Sequence, residues 1–224
     1  MTQLPLDLGF RPALGRSDFL VAPCNEEAVA WLDRWPHWPA PALALWGPPR
    51  SGKTHLAEVW RARSQAVLLP ACELRSARVA EMLGAAKAAV VDDADTAEEE
   101  ALLHLYNLLA ERHGHLLLVA REPPARWGIK LADLRSRLLA SPAVAVTAPD
   151  EAVLGAVLVK LFADRQLIVG EEVIAYLLVH IERSFEAAHE AVTALDAASL
   201  AGNRAITVPL ARQILNPRRD PDRP

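Results

Sequence analysis

Gly47, Pro48, Pro49, Arg50, Ser51, Gly52, Lys53 and Thr54 stand at the spacing G-x-x-x-x-G-K-[ST]. Each residue type has a use there if the ligand is a polyphosphate. The glycines let the chain curl so that successive N–H groups converge on phosphate oxygens. Lys53 brings positive charge to the outer phosphates, and Thr54 offers a hydroxyl to a magnesium ion. A helix that follows aims its N-terminal dipole at the anion. A phosphate loop of this kind also needs a carboxylate at the end of a neighbouring strand. The run AAVVDDAD, residues 88–95, supplies two. Asp92 is expected to hold Mg2+ through water, and Asp93 to sit where a base orients the attacking water. Asp95 and the run Glu98, Glu99, Glu100 read as a solvated helix start, where acids suit the dipole. His113 and His115 flank a glycine and read as turn residues.

Elements that can position these groups are legible in the pattern. Short apolar runs at 42–46, 66–69, 88–91, 116–120 and 143–147 alternate with helical stretches at 54–63, 75–86, 97–112 and 131–139. A further helix is expected over 25–35, with Asn25 as its N-cap. Fully apolar strands alternating with helices predict an α/β fold, a parallel sheet covered on both faces. After Ala148-Pro149-Asp150 the pattern turns helical throughout, at 150–165, 171–182, 184–201 and 207–215. That predicts a small all-helical second domain. The expected organisation is a flexible tail over 1–18, a nucleotide-binding α/β domain over 19–148, a helical domain over 149–216 and a disordered tail over 217–224.

The 224 residues are 52% hydrophobic, enough for a buried core, and only 5% aromatic. The net charge of −4 argues against strong direct DNA binding, which calls for a basic excess or stripe. Two cysteines far apart, Cys24 and Cys72, argue against a disulfide framework. With no apolar run of membrane-spanning length, the expected setting is the cytoplasm.

In order along the chain, GPPRSGKTHL, VVDDAD, LYNLLAERHGHLLLVAREPPARW and LADLRSRL make a recognisable series. It resembles the AAA+ ATPase region of the bacterial replication initiator DnaA, from Phe19 to about Leu215. The resemblance implies a AAA+ P-loop NTPase domain followed by a small helical lid, binding ADP or ATP with Mg2+. Gln3-Leu4-Pro5-Leu6-Asp7-Leu8 looks like the short peptide by which bacterial proteins dock on the DNA polymerase sliding clamp. It reads equally as an ordinary disordered tail with some leucines. The combination resembles the Hda family of replication regulators, which stimulate ATP hydrolysis by DnaA from the clamp. Carried over residue by residue, Gln3, Leu4, Leu6 and Leu8 would bind the clamp. Gly47 to Thr54 would hold nucleotide, with Asp92 and Asp93 as metal and catalytic acids. Arg137, in LRSRL, matches the arginine finger that reaches a neighbour's nucleotide, here that of DnaA. Its bland reading is a surface ion pair; that role is expected of the neighbouring Arg135, whose position the family pattern leaves free. Phe19, Leu20 and Val21 would line an adenine pocket or simply pack. A homodimer is a further assembly left open.

The chain departs from the family pattern at two places. Arg121 stands where a polar or acidic residue would sense the outermost phosphate. Glu186 stands at the lid position of a sensor arginine, with Arg183 one turn earlier as a substitute. These put the chain's own hydrolysis in doubt and fit a subunit that holds nucleotide as a conformational ligand. Rival readings are an autonomous AAA+ ATPase of helicase-loader or clamp-loader type, a P-loop kinase and an initiation-site anchor. The helical second domain and LRSRL tell against the kinase.

Overall fold

The computed structural model describes residues 21–202 and 204–215. The chain divides into two units between Thr147 and Ala148.

The first unit is built on a sheet of 5 strands, all parallel: β1 (Ala42–Trp46), β2 (Val67–Pro70), β3 (Ala88–Asp92), β4 (His115–Ala120) and β5 (Ala143–Ala145). Their order is β2-β3-β4-β1-β5. The interior strands are apolar except for His115, which opens β4, and Asp92, which ends β3, because both faces are covered. Alternation decides which residue faces which layer. Ala42, Ala44, Val91, Leu116 and Leu118 pack with Leu102, Leu105 and Leu109 of α4 (Glu99–Glu111) and Leu134 and Leu138 of α5 (Ala132–Ala140). Leu43, Leu45, Val90, Leu117 and Val119 face the other way. They pack against Leu32 of α1 (Glu26–Asp33) and Leu56 and Trp60 of α2 (Lys53–Ser64).

Three local expectations need correction. The helix over 75–86 is a 3-10 turn at Ser76–Arg78 followed by only α3 (Val79–Leu83). Gly84, at φ 55°, turns the chain out of the helix, and Arg112 donates to its carbonyl at 2.6 Å. The fifth strand stops at Ala145; Val146 N–H still donates to Trp46 O (2.8 Å), but Thr147 N–H turns to Cys24 O (3.0 Å). Asn25 stands at the N-cap of α1 but makes no capping bond there. Its side-chain oxygen accepts from Ala22 N–H at 2.8 Å instead.

The second unit is α6 (Glu151–Asp164), α7 (Glu171–His180), α8 (Phe185–Gly202) and α9 (Val208–Leu215). Asp150 caps α6 by accepting from Val153 N–H at 2.8 Å. Ser184 does the same for α8, accepting from Ala187 N–H at 3.0 Å. Its core is aliphatic with one aromatic: Leu154, Leu158, Phe162, Val173, Leu177, Ala188, Val192 and Leu195 are buried. Among the described residues, no helix is long and apolar enough to cross a membrane.

Candidate functional site

The C-terminal ends of β1, β3 and β4 meet at one edge of the sheet, because β4 pairs with both of the others. Ligands of open parallel sheets bind at such an edge. The loop that leaves β1 is pinned at its start. Gly47 N–H donates to Ala120 O at 3.2 Å. A Cβ on Gly47 would overlap the carbonyl oxygen of Val146, so only glycine fits the approach. Arg50 (φ 61°) and Gly52 (φ 96°) then carry the chain through positive φ into α2. The first N–H groups of α2 have no carbonyl within the helix to bond. Ser51 is fully buried under the loop, while Thr54 is exposed on the first turn of α2.

Lys53 is buried and its Nζ donates to Gly47 O (2.9 Å) and Pro48 O (2.7 Å). The ammonium is thus held inside the curl of the loop. Burial lowers its pKa from the ordinary lysine value, and Arg121 adds to the lowering. Asp92, Asp93 and Asp95 oppose it. These five charges share one small volume.

Asp92 is half-buried at the end of β3 and accepts from Asp93 N–H at 3.1 Å. Burial raises its carboxyl pKa, and the neighbouring Asp93 charge pushes the same way. The Asp93 N–H and Lys53 partly offset this. Asp93 is exposed and takes a left-handed backbone, φ 52°. The oxygen donors of Thr54 and Asp92 suit a hard cation such as Mg2+. Asp95 Oδ1 has no hydrogen-bond partner among the described residues, and its other oxygen accepts from Arg121 N–H at 3.3 Å. The reading of Asp95 as a solvated helix start is therefore wrong: it ties the end of β4 to the acidic loop. Arg121 itself is exposed, with its backbone fixed by Asp95.

Glu99 also has a structural task that its sequence context hid. Its carboxylate accepts from Lys130 N–H (3.1 Å) and Leu131 N–H (2.8 Å), which sets the start of α5. Those bonds hold its pKa below the usual carboxylate value.

Arg137 lies near the end of α5. Its Nε donates to Asp133 Oδ1 (2.9 Å) and a terminal nitrogen to Asp133 Oδ2 (3.2 Å). The guanidinium lies 5.5 Å from the ring centre of Tyr106 on α4. Arg135, for which an ion pair was expected, is exposed and makes none among the described residues; the pair belongs to Arg137. Tyr106, given no task on sequence grounds, supports that arginine.

In the second unit, Arg183 pairs with Glu151 at 3.0 Å, both well exposed. Glu186 falls in the first turn of α8, where an acid suits the dipole. Val21 is half-buried against the Trp60 side of the core. Phe19, Gln3, Leu4, Leu6 and Leu8 lie outside the described residues.

Comparison with known proteins adds four findings. The family described as "Hda, lid domain" matches residues 152–215. An uncharacterised protein of Haemophilus influenzae is 28% identical over 189 residues, covering 79% of this chain and 82% of that one. The fold is similar to domain III of the replication initiation protein DnaA of Thermotoga maritima, with a TM-score of 0.71, 16% identity, and 92% and 97% of the two chains covered. It is also similar to AMPPCP-bound DnaA of Aquifex aeolicus, with a TM-score of 0.68, 17% identity, and 82% and 65% covered. At these identities the structural likeness establishes the fold alone: a five-stranded parallel α/β unit followed by a helical unit, as in DnaA domain III.

Proposed function

We propose that this chain, a DnaA-related AAA+ protein of the Hda type, regulates replication initiation by stimulating ATP hydrolysis on DnaA. It binds ADP or ATP at its own phosphate loop, gives Arg137 to the nucleotide of a neighbouring DnaA, and docks on the sliding clamp through Gln3 to Leu8.

One observation carries the reading. Arg137 keeps the terminal-nitrogen edge of its guanidinium without a further hydrogen bond among the described residues, on a helix whose start is fixed by Glu99, in a chain with an Hda-type lid. A positive group fixed before the reaction stabilises charge on a transferring phosphoryl without reorganising. An arginine supplied by a neighbour is worth about 10³ to 10⁵ in rate.

In the chain's own site, the roles divide by residue. Gly47 to Thr54 wrap the phosphates, with Lys53 placing charge on the outer ones. Thr54 and Asp92 would hold Mg2+, which when bound neutralises phosphate charge. Asp93 would orient water if hydrolysis occurs there. Arg121 replaces the polar or acidic group expected beside the outermost phosphate, and Glu186 replaces a lid cation. Both changes favour retention of nucleotide as a conformational ligand over rapid turnover.

The test is hydrolysis of ATP preloaded on DnaA, with the clamp, with and without this chain carrying Asp93→Asn. Undiminished stimulation supports the regulator, because the active site is then DnaA's. Phosphate release that follows the chain alone and vanishes with Asp93→Asn supports the rival, an autonomous AAA+ ATPase. The clustering of Lys53, Asp92 and Asp93 keeps that rival in play.

A further inference from the structure

Arg137 is held on two sides by groups with no assigned role. Asp133, one turn earlier on α5, accepts from Nε at 2.9 Å and from a terminal nitrogen at 3.2 Å. Tyr106, 6% exposed, supports the guanidinium at 5.5 Å. Tyr106 and Glu99 stand seven residues apart on α4, two helical turns, so both address α5 from one face. Glu99 sets the start of α5 and Tyr106 meets the arginine near its end.

Stability does not account for this arrangement. An exposed i,i+4 ion pair contributes only a few tenths of a kcal/mol. Geometry accounts for it better. A guanidinium has five N–H donors in a rigid fork. Asp133 takes two, on the Nε edge. The donors on the edge formed by the two terminal nitrogens make no other hydrogen bond among the described residues. That remaining edge can still grip two phosphate oxygens in a bidentate pair, as the Nε edge grips the two oxygens of Asp133. Asp133 lowers the net charge of the unit, which weakens attraction to phosphate. It also removes rotamer freedom that a long arginine would otherwise lose on docking.

We propose that Asp133 and Tyr106 are positioning residues that hold Arg137 by one edge and one face, leaving its outer edge to grip phosphate oxygens of a nucleotide bound by a neighbouring subunit. The proposal rests on the reading of Arg137 given above. A free arginine would sample several rotamers, and only a minority present that edge. Losing either support therefore lowers the maximal stimulated rate and leaves the docking affinity alone.

The experiment is single-turnover hydrolysis of ATP preloaded on DnaA, titrated with the full chain and the clamp. Asp133→Ala and Tyr106→Leu are expected to lower the maximal rate about tenfold with the half-saturating concentration unchanged. Tyr106→Phe keeps the ring face and is expected to stay within about twofold of the parent, and Asp133→Glu to recover part of the loss. Arginine side-chain NMR gives a readout independent of DnaA: the Arg137 Nε–H exchanges slowly with solvent in the parent and rapidly in Asp133→Ala. Asp133 is exposed, so its variant remains decisive if Tyr106→Leu fails to fold. If Arg137→Ala abolishes stimulation while Asp133→Ala matches or exceeds the parent, the positioning proposal is overturned alone. If Arg137→Ala stimulates normally, the arginine-finger reading falls and the positioning proposal with it.

Discussion

Replacing Gly47 with alanine tests whether the phosphate loop is built as described. The new Cβ would overlap the Val146 carbonyl oxygen at a backbone φ of 153°. A residue with a side chain in that region costs about 1–3 kcal/mol. Relief requires the Val146 carbonyl to move. That strains the adjoining bonds, Val146 N–H to Trp46 O at 2.8 Å and Thr147 N–H to Cys24 O at 3.0 Å. Each is worth about 1 kcal/mol. The expected destabilisation of the first unit is therefore about 3–5 kcal/mol, a large share of the roughly 5–15 available to a domain. Gly84 is the internal control, because its φ is 55° but nothing lies within 4 Å of an added Cβ. Gly84→Ala should cost only about 1–3 kcal/mol, the backbone penalty alone at φ 55° and ψ −130°. All 6 tryptophans precede Thr147, so fluorescence during urea unfolding reports the first unit alone. A fluorescent ADP titration on the same samples should show binding lost in Gly47→Ala and kept in Gly84→Ala. If Gly47→Ala is no less stable than Gly84→Ala and binds nucleotide normally, the close packing of β1, β5 and the loop is misread.

Asp92→Asn should raise the melting temperature of the ligand-free protein by roughly 1–3 °C at neutral pH, a modest gain because solvent screens the site. The sign follows from a folded-state pKa that lies above the ordinary one. The gain is full above the raised Asp92 pKa and disappears as the pH falls below the ordinary aspartate value. The same variant should lose magnesium-dependent tightening of nucleotide binding. Glu99→Gln should lower the melting temperature at pH 7, since a neutral amide accepts the Lys130 and Leu131 N–H bonds more weakly. Because the Glu99 pKa is lowered on folding, the gap between parent and variant should close as the pH falls through that lowered value. Clamp binding at low micromolar strength or tighter should be lost in the double variant Gln3→Ala, Leu6→Ala, as measured by calorimetry.

The interior strands could be read from sequence because burial on both faces leaves polar residues only at their ends, at Asp92 and His115. The phosphate loop could be read because its spacing is fixed by the ligand's geometry. Residues 75–86 misled because apolar content there suggests a helix, whereas Gly84 and the Arg112 bond to its carbonyl close the chain early. Asp95 and Glu99 were misjudged for a shared reason. Their partners are backbone N–H groups at 121 and at 130 and 131, which no local pattern reveals. The Asp133–Arg137 pair was visible in principle as opposite charges at i,i+4. Tyr106, 31 positions before Arg137, was not: only the packing of α4 on α5 brings it there.

The central claim is that Arg137 acts on a nucleotide held by DnaA. Its most direct test is single-turnover hydrolysis of radiolabelled ATP bound to DnaA, in the presence of the clamp, with the parent chain or Arg137→Ala. The account predicts that the variant still binds nucleotide and clamp but stimulates hydrolysis at least about a thousandfold less. Full stimulation by Arg137→Ala would contradict it and move the catalytic contribution elsewhere in the chain.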